Sequence, residues 1–183
     1  RVTWLRPEQL RTTEAALLEP RPGAALFADD EAAQELEMEF ASVPPAYQCQ
    51  IEVTARVTPG ALTESYRLVC EPRVAGVSRL LVLFSQARSA LFNWNLEEAA
   101  DEVVTARRLS GEELQAVTRA AGEGWEIQLR TPRHERFVLR AERSTPRAQR
   151  MPLALATLPE ADSQSGIVRI EARGLPVDLD AAG

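Results

Sequence analysis

Between Gln48 and Glu71 apolar and polar residues largely alternate on both sides of a Pro59-Gly60 turn. On the first arm Cys49, Ile51, Val53, Ala55 and Val57 alternate with Gln48, Gln50, Glu52, Thr54 and Arg56. On the return Leu62, Tyr66, Leu68 and Cys70 alternate with Thr63, Ser65, Arg67 and Glu71. Successive side chains of a strand point to opposite faces, so a shift of one residue would throw every apolar side chain into water. The register that avoids this sets Cys49 opposite Cys70 and Val57 opposite Leu62. The pattern predicts a half-buried antiparallel hairpin.

The same period recurs along the chain. Leu36, Met38 and Phe40 alternate with Glu35, Glu37 and Glu39, which predicts a strand before Pro44-Pro45. Val77–Ser85 reads as a strand continuing the sheet of the hairpin, and its run Leu80–Phe84 predicts cover on both faces. Leu91–Trp94 suits another short strand. Residues 95–109 carry two patterns: Leu96, Ala99, Ala100, Val103 and Val104 have helical spacing, while Val103-Val104-Thr105 is a β-branched run that favours a strand from Glu102. Ser110 and Glu113 have capping-box spacing, which predicts a short helix with Leu114 and Val117 inward and Gly122 near its C-terminus.

Further on, Trp125, Ile127 and Leu129 match Phe137, Leu139 and Ala141 as a second hairpin around Thr131–Glu135. Leu153–Leu158 and Ile167–Ala172 suggest a final pair with Val168 and Ile170 inward. Toward the N-terminus a short helix over Pro7–Glu19 and a short strand over Ala24–Ala28 complete the reading. The expected fold is mainly β: an antiparallel β-sandwich of about eight to ten short strands with one or two short helices. No Gly/Ser-rich linker interrupts residues 1–183, which read as one domain with residues 1–23 a loosely packed N-terminal extension.

Composition narrows the function classes. The 183 residues, 45% hydrophobic and 26% charged, are ordinary globular material. No apolar run approaches the roughly 20 residues of a membrane span. All basic residues are Arg, a usage that GC-rich codon bias accounts for. A net charge of −6 and a pI near 5 lack the basic footprint of a nucleic-acid binder. The chain starts at Arg1 without a methionine, which reads as a piece of a longer, extracytoplasmic protein. Its two cysteines are too few for a disulfide scaffold and lack zinc-site spacing; the register sets Cys49 opposite Cys70, which read as a buried reduced pair with a disulfide as the alternative.

Candidate chemistry is sparse. The single histidine, His134, falls in the Thr131–Glu135 loop with no G-x-S-x-G nucleophile elbow and no nearby ligand partner, and reads as a solvated loop residue. Among many acids only Glu64 continues an apolar face, where it is expected at the sheet margin paired with an Arg. Trp94, between Asn93 and Asn95, is a candidate sugar platform, whereas Trp125 belongs with the core. Residues 28–40 are acidic and residues 130–150 are rich in Arg. Arg136, Arg140 and Arg143 are therefore a candidate docking surface for an acidic partner, unless the two runs neutralise each other. No cofactor motif and no catalytic constellation emerges. The leading expectation is a non-catalytic structural or protein-interaction module whose partner is a protein or neighbouring domain. A carbohydrate-binding module is the alternative, and a hydrolase with paired carboxylates a weaker one.

Overall fold

The computed structural model describes residues 2–5, 26–29, 46–97, 103–118, 122–172 and 176. The chain divides into two compact units, residues 1–42 and 43–183. In the first, β1 (Val2–Leu5) and β2 (Leu26–Asp29) pair antiparallel. The acidic strand expected at Glu35–Phe40 and the helix expected at Pro7–Glu19 lie outside the described residues.

The second unit is mainly β, built from two sheets. The five-stranded sheet runs in the order β11 (Ser163–Ala172), β3 (Tyr47–Val57), β4 (Ala61–Pro72), β9 (Phe137–Pro146), β6 (Asn93–Leu96). The four-stranded sheet has the order β10 (Ala156–Thr157), β5 (Val77–Phe84), β8 (Glu123–Arg133), β7 (Val103–Arg108). The β3–β4 hairpin has the register expected from its alternation, with Cys49 opposite Cys70 and Val57 opposite Leu62. Cys49, Ile51, Val53, Tyr66, Leu68 and Cys70 of the hairpin, together with Leu80, Val82, Phe84, Trp125 and Ile127 of the other sheet and Phe137 and Leu139 of β9, form one buried cluster. Leu68, Leu80, Ile127 and Leu139 have no exposed surface, and each such side chain contributes about 1.5–3 kcal/mol of burial energy.

Aromatic rings knit the layers together. Tyr66 of β4 meets Phe84 of β5 edge-on at 5.0 Å, and Trp94 of β6 lies 5.9 Å from Trp125 of β8. Among the described residues one helix is present, α1 (Gly111–Val117). Its capping box is formed: the Ser110 hydroxyl accepts from the Glu113 backbone N–H, and the Glu113 carboxylate accepts from the Ser110 N–H. The helix is shorter and less buried than its pattern implies. Val117 is exposed, and the chain turns extended at Thr118, well before Gly122. Gly122 instead lies against β5, where a Cβ would clash with the Phe84 carbonyl oxygen.

Three pairings differ from the sequence reading. β5 does not continue the sheet of the hairpin but lies in the opposite one. β8 and β9 share no ladder: β8 pairs with β5 and β7, while β9 pairs with β4 and β6. The reason is common to both. Two apolar faces can be buried side by side in one sheet or against each other across a sandwich, and alternation along each strand is the same in both cases. The third difference is at the C-terminus, where β11 pairs with β3 in parallel rather than with residues 153–158. Residues 156–157 join β5 instead.

Candidate functional site

Three charged side chains sit at the inner end of an apolar face. Glu64 precedes Tyr66 and Leu68 on β4, Arg143 follows Leu139 and Ala141 on β9, and Glu123 precedes Trp125 and Ile127 on β8. The β4–β9 register sets Glu64 opposite Arg143, and all three residues are buried. Arg143 Nε donates to Glu64 Oε2 at 2.8 Å, and its Nη1 donates to Glu123. One guanidinium thus ties the two sheets together. Its Nη2 has no hydrogen-bond acceptor, while the guanidinium carbon lies 4.3 Å from the Phe92 ring centroid, a cation–π distance.

The two carboxylates have further partners. Glu64 Oε1 accepts from the Ala154 backbone N–H at 3.1 Å and from the Tyr66 hydroxyl at 3.4 Å. The Tyr66 hydroxyl also reaches the Ala154 carbonyl at 2.7 Å. Burial, with the Glu64 charge beside it, pushes the Tyr66 phenol far above its ordinary value, so it stays a neutral donor. Arg88 and Arg108 close the cluster toward solvent. Arg88 Nε is 3.5 Å from Glu64 Oε2, and Arg108 Nη2 is 2.9 Å from Glu123 Oε2. Glu64 therefore has the Arg partner expected of it, but inside the core and not at the margin.

Arg143 is consequently no part of a docking surface: its side chain has no exposed area. Its residue number places it on the inward face of β9, with Leu139 and Ala141. Arg136 and Arg140 do face outward, as expected, but each meets an acid of its own unit. Arg140 lies 2.6 Å from Glu97, and Arg136 lies 3.6 Å from Glu71. Arg67, which the register sets directly opposite Arg140, shares Glu97 at 3.1 Å and adds Glu52 at 3.3 Å. A single carboxylate thus bridges two like charges, and the Arg140 guanidinium, followed by that of Arg67, holds the Glu97 carboxyl below the usual range.

Trp94 is 8% exposed, packed against Phe92 and Trp125 in the core, so its ring is committed to packing and not offered to a sugar. The physical reason is the placement of β6 beside β9, which turns Trp94 to the same face as Ala141. Cys49 and Cys70 are buried free thiols with sulfurs 3.8 Å apart. The hydrogen bond with Cys49 and burial push the Cys70 thiol well up, away from the reactive thiolate. The cross-strand hydrogen bonds at Arg73–Ala46 and Thr58–Ala61 place this pair at a non-hydrogen-bonded position of the ladder.

Two shallow clefts open on the surface. One of about 170 Å³ lies among Gln48, Gln50, Ser163 and Ser165, and one of about 290 Å³ lies between Leu96 and the segment Pro132–Val138, which includes His134. Neither reaches Glu64 or Glu123. Among the described residues no group of three or more His, Cys, Asp or Glu could hold a metal ion. No helix among them is long and apolar enough to cross a membrane.

The most distinctive surface is β11. It is an edge strand of the larger sheet among the described residues, and Ile167, Val168 and Ile170 are 58%, 47% and 37% exposed. The parallel register sets Val168 beside Val53 and Ile170 beside Ala55, both buried, so the inner face of the sheet extends past the cover that the opposite sheet provides. This overturns the expectation that Val168 and Ile170 face a closed core. Sequence comparison supplies no relative: no protein-family model matches the chain, and no curated protein matches it.

Proposed function

We propose that the chain is a non-catalytic β-sandwich module that works in structure or protein–protein interaction, with the β11 edge as its contact surface. The observation that carries this reading is the exposed apolar run on an edge strand. An edge presents unpaired backbone donors and acceptors, and adding a strand to it is a recurrent mode of protein recognition. Apolar side chains exposed on both faces of such an edge are unusual for a surface that meets only water. The buried carboxylates point the same way. Glu64 and Glu123 are both engaged by guanidinium groups inside the core, an arrangement suited to joining the two sheets.

Availability of the edge is testable without a known partner. In protein dilute enough to be monomeric, Val168→Lys should change the urea unfolding midpoint by no more than about 0.5 kcal/mol equivalent, as for a substitution on a free surface. A loss of several kcal/mol would show that Val168 is covered by the module's own chain, and the contact-surface reading would fall.

A further inference from the structure

Resting on that reading, the structure assigns the β11 edge a partner: we infer that it pairs antiparallel with β11 of a second copy of this chain, about a two-fold axis through Ile170. The argument begins with symmetry. Opposed residues of an antiparallel pair lie on the same face, so copies can meet inner face to inner face only in registers that pair even residues with even and odd with odd. Within the described strand these registers differ sharply in charge. Centring on Arg169 sets Arg169 against its own copy, and centring on Glu171 sets Glu171 against its own copy. Centring on Val168 sets Arg169 against Ile167 and Glu171 against Ser165. Centring on Ile170 alone sets Arg169 against Glu171, and by symmetry does so twice.

The same register completes the apolar face. Val168 meets Ala172 of the second copy, Ile170 meets its own counterpart, and the stripe continues the buried line of Val53 and Ala55. The outer face carries the two Arg169–Glu171 pairs. Arg169 is exposed and has no ion-pair partner among the described residues, whereas Glu171 is met by Arg56 at 3.2 Å. An unpaired cation flanked by exposed Ile167, Val168 and Ile170 is what a self-complementary, isologous edge would present before assembly. Pairing over residues 168–172 would also join two five-stranded sheets into one continuous sheet and cover the C-terminal half of each exposed edge strand.

The experiment is a charge-swap series followed by sedimentation velocity over a wide range of protein concentration. The wild-type chain should dimerise reversibly. Arg169→Glu opposes glutamates at both contacts, Glu171→Arg opposes arginines at both, and each should weaken dimerisation about tenfold or more. Mixing these two single variants restores an attractive pair at both contacts, so they should form a heterodimer that neither forms alone. The double variant Arg169→Glu/Glu171→Arg should again form a homodimer. A wild-type chain that stays monomeric at every concentration, or single variants that dimerise as the wild type does, would overturn the inference. If the wild type is monomeric while Val168→Lys leaves stability unchanged, the edge remains an exposed contact surface with a different partner, and only the self-pairing fails. A Val168→Lys variant strongly destabilised in dilute, monomeric protein removes the contact-surface reading itself.

Discussion

Arg143→Met tests whether the buried charge cluster is one energetic unit. The substitution keeps most of the side-chain volume and removes the cation that bonds to both sheets. Glu64 would retain the Ala154 N–H, the Tyr66 hydroxyl and Arg88, and Glu123 would retain Arg108. Removing one partner of a buried pair costs about 3–5 kcal/mol, because the remaining charge is left without compensation. The remaining contacts place this case toward the lower end of that range. Losing the stacking of the guanidinium on Phe92 adds about 0.5–2 kcal/mol. The expected loss is therefore about 4 kcal/mol, a large share of the 5–15 kcal/mol by which domains are ordinarily stable.

Urea unfolding at pH 7, followed by the fluorescence of the buried Trp94 and Trp125, measures it. A second variant separates charge from packing. Replacing the cluster together, Arg143→Met with Glu64→Leu and Glu123→Leu, should recover most of the loss, since apolar replacement of a buried ion cluster is commonly neutral or stabilising. A loss below about 1 kcal/mol for Arg143→Met with an unchanged denaturant slope would refute the reasoning, as would a triple variant no more stable than the single one.

Two further outcomes are expected. Glu126 lies 2.6 Å from Arg107 and 3.1 Å from Arg79, and these guanidinium groups, Arg107 first, hold its carboxyl below the ordinary range. Its folded form therefore releases the proton more readily than its unfolded form, so the stability it contributes is complete above the unfolded value of about 4.3 and is lost as pH falls from there through the folded value. Urea midpoints measured from pH 6 down to about 3 should show a shallower acid-side fall for Arg107→Gln than for the wild type; parallel curves would remove the assignment. Cys49 and Cys70 should resist alkylation in the folded chain, because both are buried and the Cys70 thiol is held protonated. Mass spectrometry after alkylation in denaturant without reductant should then show two labels, and a chain carrying none would mean that the pair is bridged.

Much of this architecture was legible from alternation alone. The β3–β4 register, the capping box at Ser110 and Glu113, and the inward sets of β8 and β9 are each properties of one strand or one turn. The buried cluster left the same kind of signal, though it takes three strands to see it. Glu64, Glu123 and Arg143 each fall on the apolar parity of their own strand, where a solvated residue would break the pattern. A charge on the inward parity calls for a countercharge on another inward face, and these three supply one another. Grouping Arg143 with Arg136 and Arg140 by proximity in sequence missed this, because odd and even residues of one strand face different environments.

The pairing of strands was less legible for a different physical reason. Alternation states which side chains share a face, but it is silent on whether the neighbouring apolar face lies beside it or across from it. β8 and β9 show the consequence, since their inward sets are as expected while their pairing is not. β11 carries the point one step further. Its alternation of Val168 and Ile170 is the same as that of a covered strand, and only the reach of the opposite sheet decides whether those side chains are core or contact surface. An apolar period at a sheet edge is therefore a statement about a face that requires cover, and the source of that cover can be another molecule. On β11 the neighbouring charges give that requirement a direction, because Arg169 and Glu171 are two residues apart on the outer face, the spacing at which an antiparallel copy returns each to the other.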